Sequence, residues 1–143
     1  MRLYFDTAYV AKCYLREPRG ERVRKLASSA SGLYSSAWCT VEMACVIHRN
    51  VRESNLDQDE ASAIGRQFRE DVEDGVWSLL PVTERLLGNV SSFIASLNAS
   101  IFLRAGDAVH LVTAQREGFT EIWTNDRHLG LAAQHAGLAA REV

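Results

Sequence analysis

The chain has 143 residues, 47% apolar and 24% charged, a balance that suits one globular domain and excludes disordered, collagen-like and disulfide-scaffold proteins. Its net charge of −2 and pI near 6.1 exclude a protein that grips nucleic acid through a generally basic surface, which would carry a pI above about 9. Contact with a polyanion must lean on a bound cation or on local basic patches.

Leu3-Tyr4-Phe5 is a short apolar run ended by Asp6-Thr7, the pattern of a buried strand passing into a helix. The spacing predicts helices over 8–15, closed before Pro18, and over 20–28, with Val23, Leu26 and Ala27 inward. Gly32 to Ser36 is the next strand, and 38–49 a helix whose stripe is Val41, Ala44, Cys45 and His48. Asp57 and Glu60 form a capping-box pattern before a helix that buries Ala61, Ile64, Phe68 and Val72 and stops near Gly75. A third strand covers 76–82. Thr83 caps a helix running towards Asn98 through Leu86, Leu87, Val90 and Ile94, and a further helix over 105–117 stops at Gly118. Glu121 to Thr124 is a short strand, Asn125-Asp126 opens a last helix, and Leu138 to Val143 adds an edge strand. Strands alternate with helices and no Asn-Gly hairpin signature separates strand runs, so the expected fold is α/β with a mainly parallel sheet, as a single domain over 1–143.

Three cysteines, Cys13, Cys39 and Cys45, with no C-x-x-C pair predict reduced thiols, Cys39 and Cys45 lying in the core. An acid at position 6 comes too early for a secretory leader, and no apolar run approaches a membrane span. A cytoplasmic setting with no membrane contact is the expectation.

Of the eighteen acidic residues, most have charged or polar neighbours. Asp6, Glu42, Asp107 and Asp126 stand instead in apolar surroundings, and carboxylates are rarely buried unless paired or bound to metal. Asp6 and Asp126 follow strands, at the carboxyl ends where parallel sheets bind ligands. Glu42 and Asp107 fall in early helical turns, Asp107 sharing a face with His110. Brought to about 5 Å at an effective dielectric near 20, each pair would repel by roughly 3 kcal/mol. A hard divalent cation offsets this, and an all-oxygen donor set suits Mg²⁺ or Mn²⁺, whereas zinc would want Cys or His spacing that is absent. Such a site can activate water for phosphodiester hydrolysis. Each acid also has a purely structural alternative: Asp6 and Asp126 as N-caps, Glu42 paired to a distant base, Asp107 bonded to Arg104 or His110.

Phe5-Asp6-Thr7-Ala8, the lone Glu42 after the second strand, Gly106-Asp107-Ala108-Val109-His110 and Thr124-Asn125-Asp126-Arg127-His128-Leu129, in that order, resemble the PIN domain, most nearly the PIN-domain ribonuclease toxins of the VapBC toxin–antitoxin type. The resemblance spans nearly the whole chain. It implies a three-layer α/β/α, Rossmann-like fold and Mg²⁺- or Mn²⁺-dependent endoribonuclease activity leaving 5′-phosphate and 3′-hydroxyl ends. It further implies a homodimer and inhibition by a small antitoxin protein. By position, Asp6, Glu42 and Asp107 would be core metal ligands and catalytic residues, with Asp126 completing the site through a water or a second metal. Thr7 and Thr124 match supporting hydroxyls, and the Asn125 amide would orient a water or ligand.

Arg16, Arg19, Arg22, Arg24 and Lys25, with Arg49 and Arg52, are candidates to follow RNA phosphates; a solvated helix face is the alternative. An aspartate-nucleophile phosphotransferase would need a second Asp where Ala8 stands. Dinucleotide, P-loop and G-x-S-x-G signatures are absent. The rival of another class is an inactive, partner-binding domain of the same fold.

Overall fold

The computed structural model describes residues 1–143. Its strands are β1 (Arg2–Tyr4), β2 (Gly32–Ser36), β3 (Trp77–Leu80), β4 (Glu121–Trp123) and β5 (Ala139–Arg141). The helices are α1 (Thr7–Tyr14), α2 (Gly20–Ser28), α3 (Cys39–Arg52), α4 (Gln58–Glu73), α5 (Glu84–Ser96), α6 (Ala105–Arg116) and α7 (Arg127–Ala133), the last running into a 3-10 turn over Gln134–Ala136. All pairings are parallel: Leu3 lies opposite Leu33, Tyr34 opposite Ser78, and Ile122 opposite Ala140. A parallel bridge between Phe5 and Trp123, with the Asp6 N–H donating to the Trp123 carbonyl at 3.1 Å, joins the two ladders into the order β3-β2-β1-β4-β5.

β1 shows how the sheet separates two cores. Successive strand side chains point to opposite faces. Leu3 and Phe5 enter a core with Val10 and Val23, Met43 and Phe68 from α1–α4. Tyr4 enters the other, with Leu111 and Leu129 from α6 and α7. Leu86 and Val90 of α5 pack on α6 through Val109 and Val112. The result is the expected three-layer α/β/α arrangement.

The capping box forms as predicted: Asp57 accepts from the Glu60 N–H at 2.7 Å and Glu60 from the Asp57 N–H at 3.1 Å. Ala61 and Phe68 are buried behind it, with Ile64 and Val72 partly so. Gly118, at φ 78°, ends α6 as anticipated. Predicted β3 shortens to four residues because Val76 is exposed and Pro81 follows.

α3 presents a different face from the one its spacing suggested. Cys39 and Met43 are buried, with Val46 packed on the core. Val41 is 54% exposed, and Ala44, Cys45 and His48 are exposed as well. Cys45 is therefore a surface thiol rather than a core residue. The helix is apolar on two faces in its first turns, so periodicity alone could not choose, and the bulkier Met43 side took the sheet. No helix is long and apolar enough to cross a membrane.

Replacing Asp57 with Ala removes one orphan-donor partner at the α4 N-terminus. We expect a loss of about 1 kcal/mol in urea unfolding, with no effect on ion binding at the acidic pocket, which Asp57 does not line.

Candidate active site

Asp6 follows buried β1 and Phe5 directly. It is only 4% exposed and caps α1, its carboxylate accepting from the Tyr9 N–H at 2.9 Å. Asp126 does the same for α7, accepting from the His128 and Leu129 N–H groups at 2.8 and 3.0 Å. The Asp126 N–H bonds to the buried Thr124 hydroxyl at 3.0 Å, and that hydroxyl also favours the ionised form of Asp6. The structural alternative considered for both acids is thus real, yet both also line the pocket.

Glu42, in the first turn of α3, is held from beneath. The Thr7 hydroxyl donates to its Oε1 at 2.8 Å, and His110 Nε2 stands 2.7 Å from the same oxygen. His110 is itself buried, with Nδ1 at 3.1 Å from the Tyr4 hydroxyl. Nε2 faces the carboxylate and so carries a proton, donating to Glu42. Glu42 therefore does pair with a distant base, and His110 is its positioning partner. Neither Tyr4 nor His110 was singled out for this part by sequence, because their meeting depends on β1 and α6 becoming neighbours. A Cβ on Gly106 would stand 2.8 Å from Glu42 Oε2 and 3.1 Å from Trp38 Nε1, so any larger residue there would push the Glu42 carboxylate aside.

Asp107, in the first turn of α6, and Asp126 share one guanidinium. Arg104 Nε lies 3.3 Å from Asp107 Oδ2, and Nη2 lies 2.7 Å from Asp126 Oδ2. All four acids, with Thr7, Trp38, Arg104 and His110, line one open pocket of about 780 Å³. Exposed Asn125 and buried Thr124 lie outside its lining. Arg49 and Arg52 form part of its wall. Arg16, Arg19, Arg22 and Arg24 line a neighbouring groove, and Arg16 shares a third depression with Arg49. Lys25 is exposed on α2 beyond these grooves. Arg19 is paired with Glu142 at 2.6 Å, and Arg24 donates to the Lys12 carbonyl at 3.1 Å.

The acids differ in what supports their charge. Burial pushes Asp6 from an ordinary value of 3.8 up to about 6, against the Thr124 hydroxyl, the Tyr9 N–H and the attraction of His110; Asp107 raises it further. Burial, and next the charge of Asp126, lift Asp107 despite Arg104. Burial would raise Glu42 too, but the hydrogen bond and attraction of His110, with Thr7 and Arg104, bring it below the ordinary value. No three of the Asp, Glu, His and Cys side chains stand close enough to enclose an ion, and Arg104 bridges two of the acids. The donor chemistry nevertheless fits a hard divalent cation: every pocket acid offers carboxylate oxygen, and Asp6 is a buried carboxylate with no Lys or Arg bonded to it.

A family model for the PIN domain matches residues 3–134. The chain belongs to the PIN domain family. Among solved structures, it is similar to the Mycobacterium tuberculosis toxin VapC20, described as cleaving the sarcin–ricin loop, at TM-score 0.72 and 15% identity over 91% of this chain and 94% of that one. FitAcB of Neisseria gonorrhoeae gives TM-score 0.71 and 17% identity, over 98% and 96%. VapBC2 of Rickettsia felis, solved on a DNA fragment from its promoter, gives 0.67 and 11%, over 99% and 98%. Among curated proteins no significant sequence match is found.

Two outcomes follow from this geometry. The native state holds the Asp6 proton more tightly than the unfolded chain, so ionising Asp6 destabilises the cation-free protein progressively from pH 3.8 to about 6 and fully above that. Asp6→Asn keeps a cap acceptor and should stabilise the cation-free protein at pH 7 by up to about 3 kcal/mol. That gain should nearly vanish by pH 4, as read by urea unfolding across the range. Gly106→Ala should cost about 1–2 kcal/mol by overpacking and move the Glu42 carboxylate off His110, visible in a crystal structure of the variant.

Proposed function

We propose that this protein is a divalent-cation-dependent endoribonuclease hydrolysing RNA phosphodiester bonds, and the toxin of a toxin–antitoxin pair. The observation that carries this is Asp6: a buried carboxylate without a Lys or Arg partner, opening with Glu42, Asp107 and Asp126 into one pocket at the carboxyl end of a parallel sheet. Membership of the PIN domain family supports it, and so does likeness in fold to an RNA-cleaving toxin and to VapBC2.

Asp6, Asp107 and Asp126, with Glu42, would hold Mg²⁺ or Mn²⁺, which supplies neutralisation of phosphate charge and a more acidic attacking water. The chain's own residues do the rest. His110 and Thr7 fix the Glu42 carboxylate in its ionised form as an acceptor. Asp107 or Asp126, whose carboxylates stand side by side across Arg104, would orient the attacking water and accept its proton at a carboxylate oxygen. Thr124 ties the Asp126 backbone beside Asp6. Arg49 and Arg52 on the pocket wall, and Arg16, Arg19, Arg22 and Arg24 beyond it, offer RNA phosphates a local basic path that the net charge conceals. The expected products carry 5′-phosphate and 3′-hydroxyl ends. A homodimer, neutralised by a small antitoxin, completes the proposal. The free thiols Cys13, Cys39 and Cys45 suit a reducing cytoplasm.

The test is calorimetric titration with Mn²⁺ and Mg²⁺, comparing wild type with Asp6→Asn and Asp107→Asn, followed by cleavage of total cellular RNA with mapped ends. Wild type should bind in the micromolar to millimolar range, roughly as carboxylate sites of few ligands do. Both variants should lose binding and at least about a hundredfold in cleavage. If the wild type binds neither ion, the chain is an inactive, partner-binding domain of this fold.

A further inference from the structure

Of the sixteen lysines and arginines, only Arg104 forms an ion pair with any of the four acids. Its single guanidinium reaches Oδ2 of both Asp107 and Asp126, two carboxylates that otherwise repel. The extended backbone of Arg104, immediately before α6, sets the side chain over the carboxylate three residues on and towards the α7 cap. The side chain is 62% exposed, while its partners are mostly covered. It is held only by its tip, and exposed ion pairs of this kind are weak. Asp126 gives its other oxygen to the α7 N–H groups, so Arg104 occupies the one left over.

We propose that Arg104 is a tethered competitor for the divalent cation: its guanidinium neutralises Asp107 and Asp126 in the cation-free protein and leaves them when the ion binds. The inference rests on the metal site of the proposed function and adds the regulation of that site. A divalent ion brings twice the charge in a smaller volume, so it displaces the guanidinium where a monovalent ion would not. Once displaced, Arg104 stays tethered at the rim of the pocket, where a phosphate offers its planar fork a bidentate partner. By linkage, whatever free energy binds Arg104 to the acids is subtracted from cation affinity. Removing the side chain therefore strengthens ion binding while weakening capture of the phosphate, two effects of opposite sign.

The experiment is Mn²⁺ titration by calorimetry on the full chain: wild type, Arg104→Ala, Arg104→Lys and, as a control for long-range charge, Arg52→Ala, which removes a pocket cation that forms no ion pair with the acids. Arg104→Ala should bind Mn²⁺ about 3- to 30-fold more tightly, and Arg52→Ala should stay within about twofold of wild type. Arg104→Lys should fall between, since a point charge cannot bridge two carboxylates as a fork does. In ¹⁵N-labelled wild type, the Arg104 Nε resonance, identified by its loss in Arg104→Lys, should move on Mg²⁺ addition with the midpoint of ion binding. Equal affinities for wild type and Arg104→Ala, equal gains for Arg104→Ala and Arg52→Ala, or an Arg104 resonance indifferent to saturating Mg²⁺ would each overturn the competition while leaving the metal site intact. Failure of wild type and every variant to bind either ion would remove the metal site, and the competition with it.

Discussion

Burial of carboxylate charge at the carboxyl edge of the sheet is the constraint around which this structure is arranged. Asp6 and Asp126 are the N-caps of α1 and α7, while Glu42 and Asp107 occupy the first turns of α3 and α6. All four acids thus sit at helix N-termini, where unsatisfied N–H groups and the macrodipole offset negative charge by roughly 0.3–1 kcal/mol each. A parallel sheet makes this possible: helices that directly follow β1, β2 and β4 start at the edge where those strands end. The offset is partial, as the raised pKa of Asp6 shows. The pocket remains short of positive charge even with four helix ends aimed at it, and that deficit is what a cation would relieve.

The same residues serve the fold and the pocket because each carboxylate has two oxygens. Asp126 gives Oδ1 to the α7 N–H groups and Oδ2 to Arg104. Glu42 gives Oε1 to Thr7 and His110, while Oε2 faces the gap left by Gly106. Asp6 does more still, since its backbone N–H bonds to Trp123 beside the bridge that joins the two ladders. The chain from Tyr4 through His110 to Glu42 couples the second core to α3 across the sheet edge, because Tyr4 points to the face opposite Phe5. Displacing Glu42 would therefore disturb contacts on both sides of the sheet.

The α/β alternation and the strand positions were readable from periodicity, the three-layer order from the family resemblance, and the four acids stood out as candidates by their apolar company. Three features were not. The buried face of α3 was misassigned because Val41, Ala44 and Cys45 form an apolar stripe beside that of Cys39, Met43 and Val46, and it is the second that joins Phe5 and Phe68 in the core. His110 was expected beside Asp107 on α6, and its pairing with Glu42 could not be seen because Tyr4, Thr7 and Glu42 are remote in sequence. Arg104 was visible as a neighbour of Asp107, but its reach to Asp126, twenty-two residues on, exists only after β4 has docked beside β1. Local pattern reports what a residue prefers; these three depended on what the fold later placed nearby.

The α3 discrepancy also bears on the pocket. Trp38, Val41, Cys45, Arg49 and Arg52, which an inward helix face would have hidden, form one wall of the cavity that holds the acids. Their spacing keeps them on one side of the helix, so the wall runs from an exposed indole beside Glu42, past apolar surface, to two guanidinium groups. At about 1.5 Å per residue, the seven and ten residues that separate Glu42 from Arg49 and Arg52 extend roughly 10–15 Å along the helix, one to two Debye lengths at physiological salt. Across that distance salt weakens the attraction between Glu42 and the two guanidinium groups without abolishing it. An overall charge of −2 consequently describes neither end of this wall, where Glu42 lies in the first turn of α3 and Arg49 and Arg52 lie in its last.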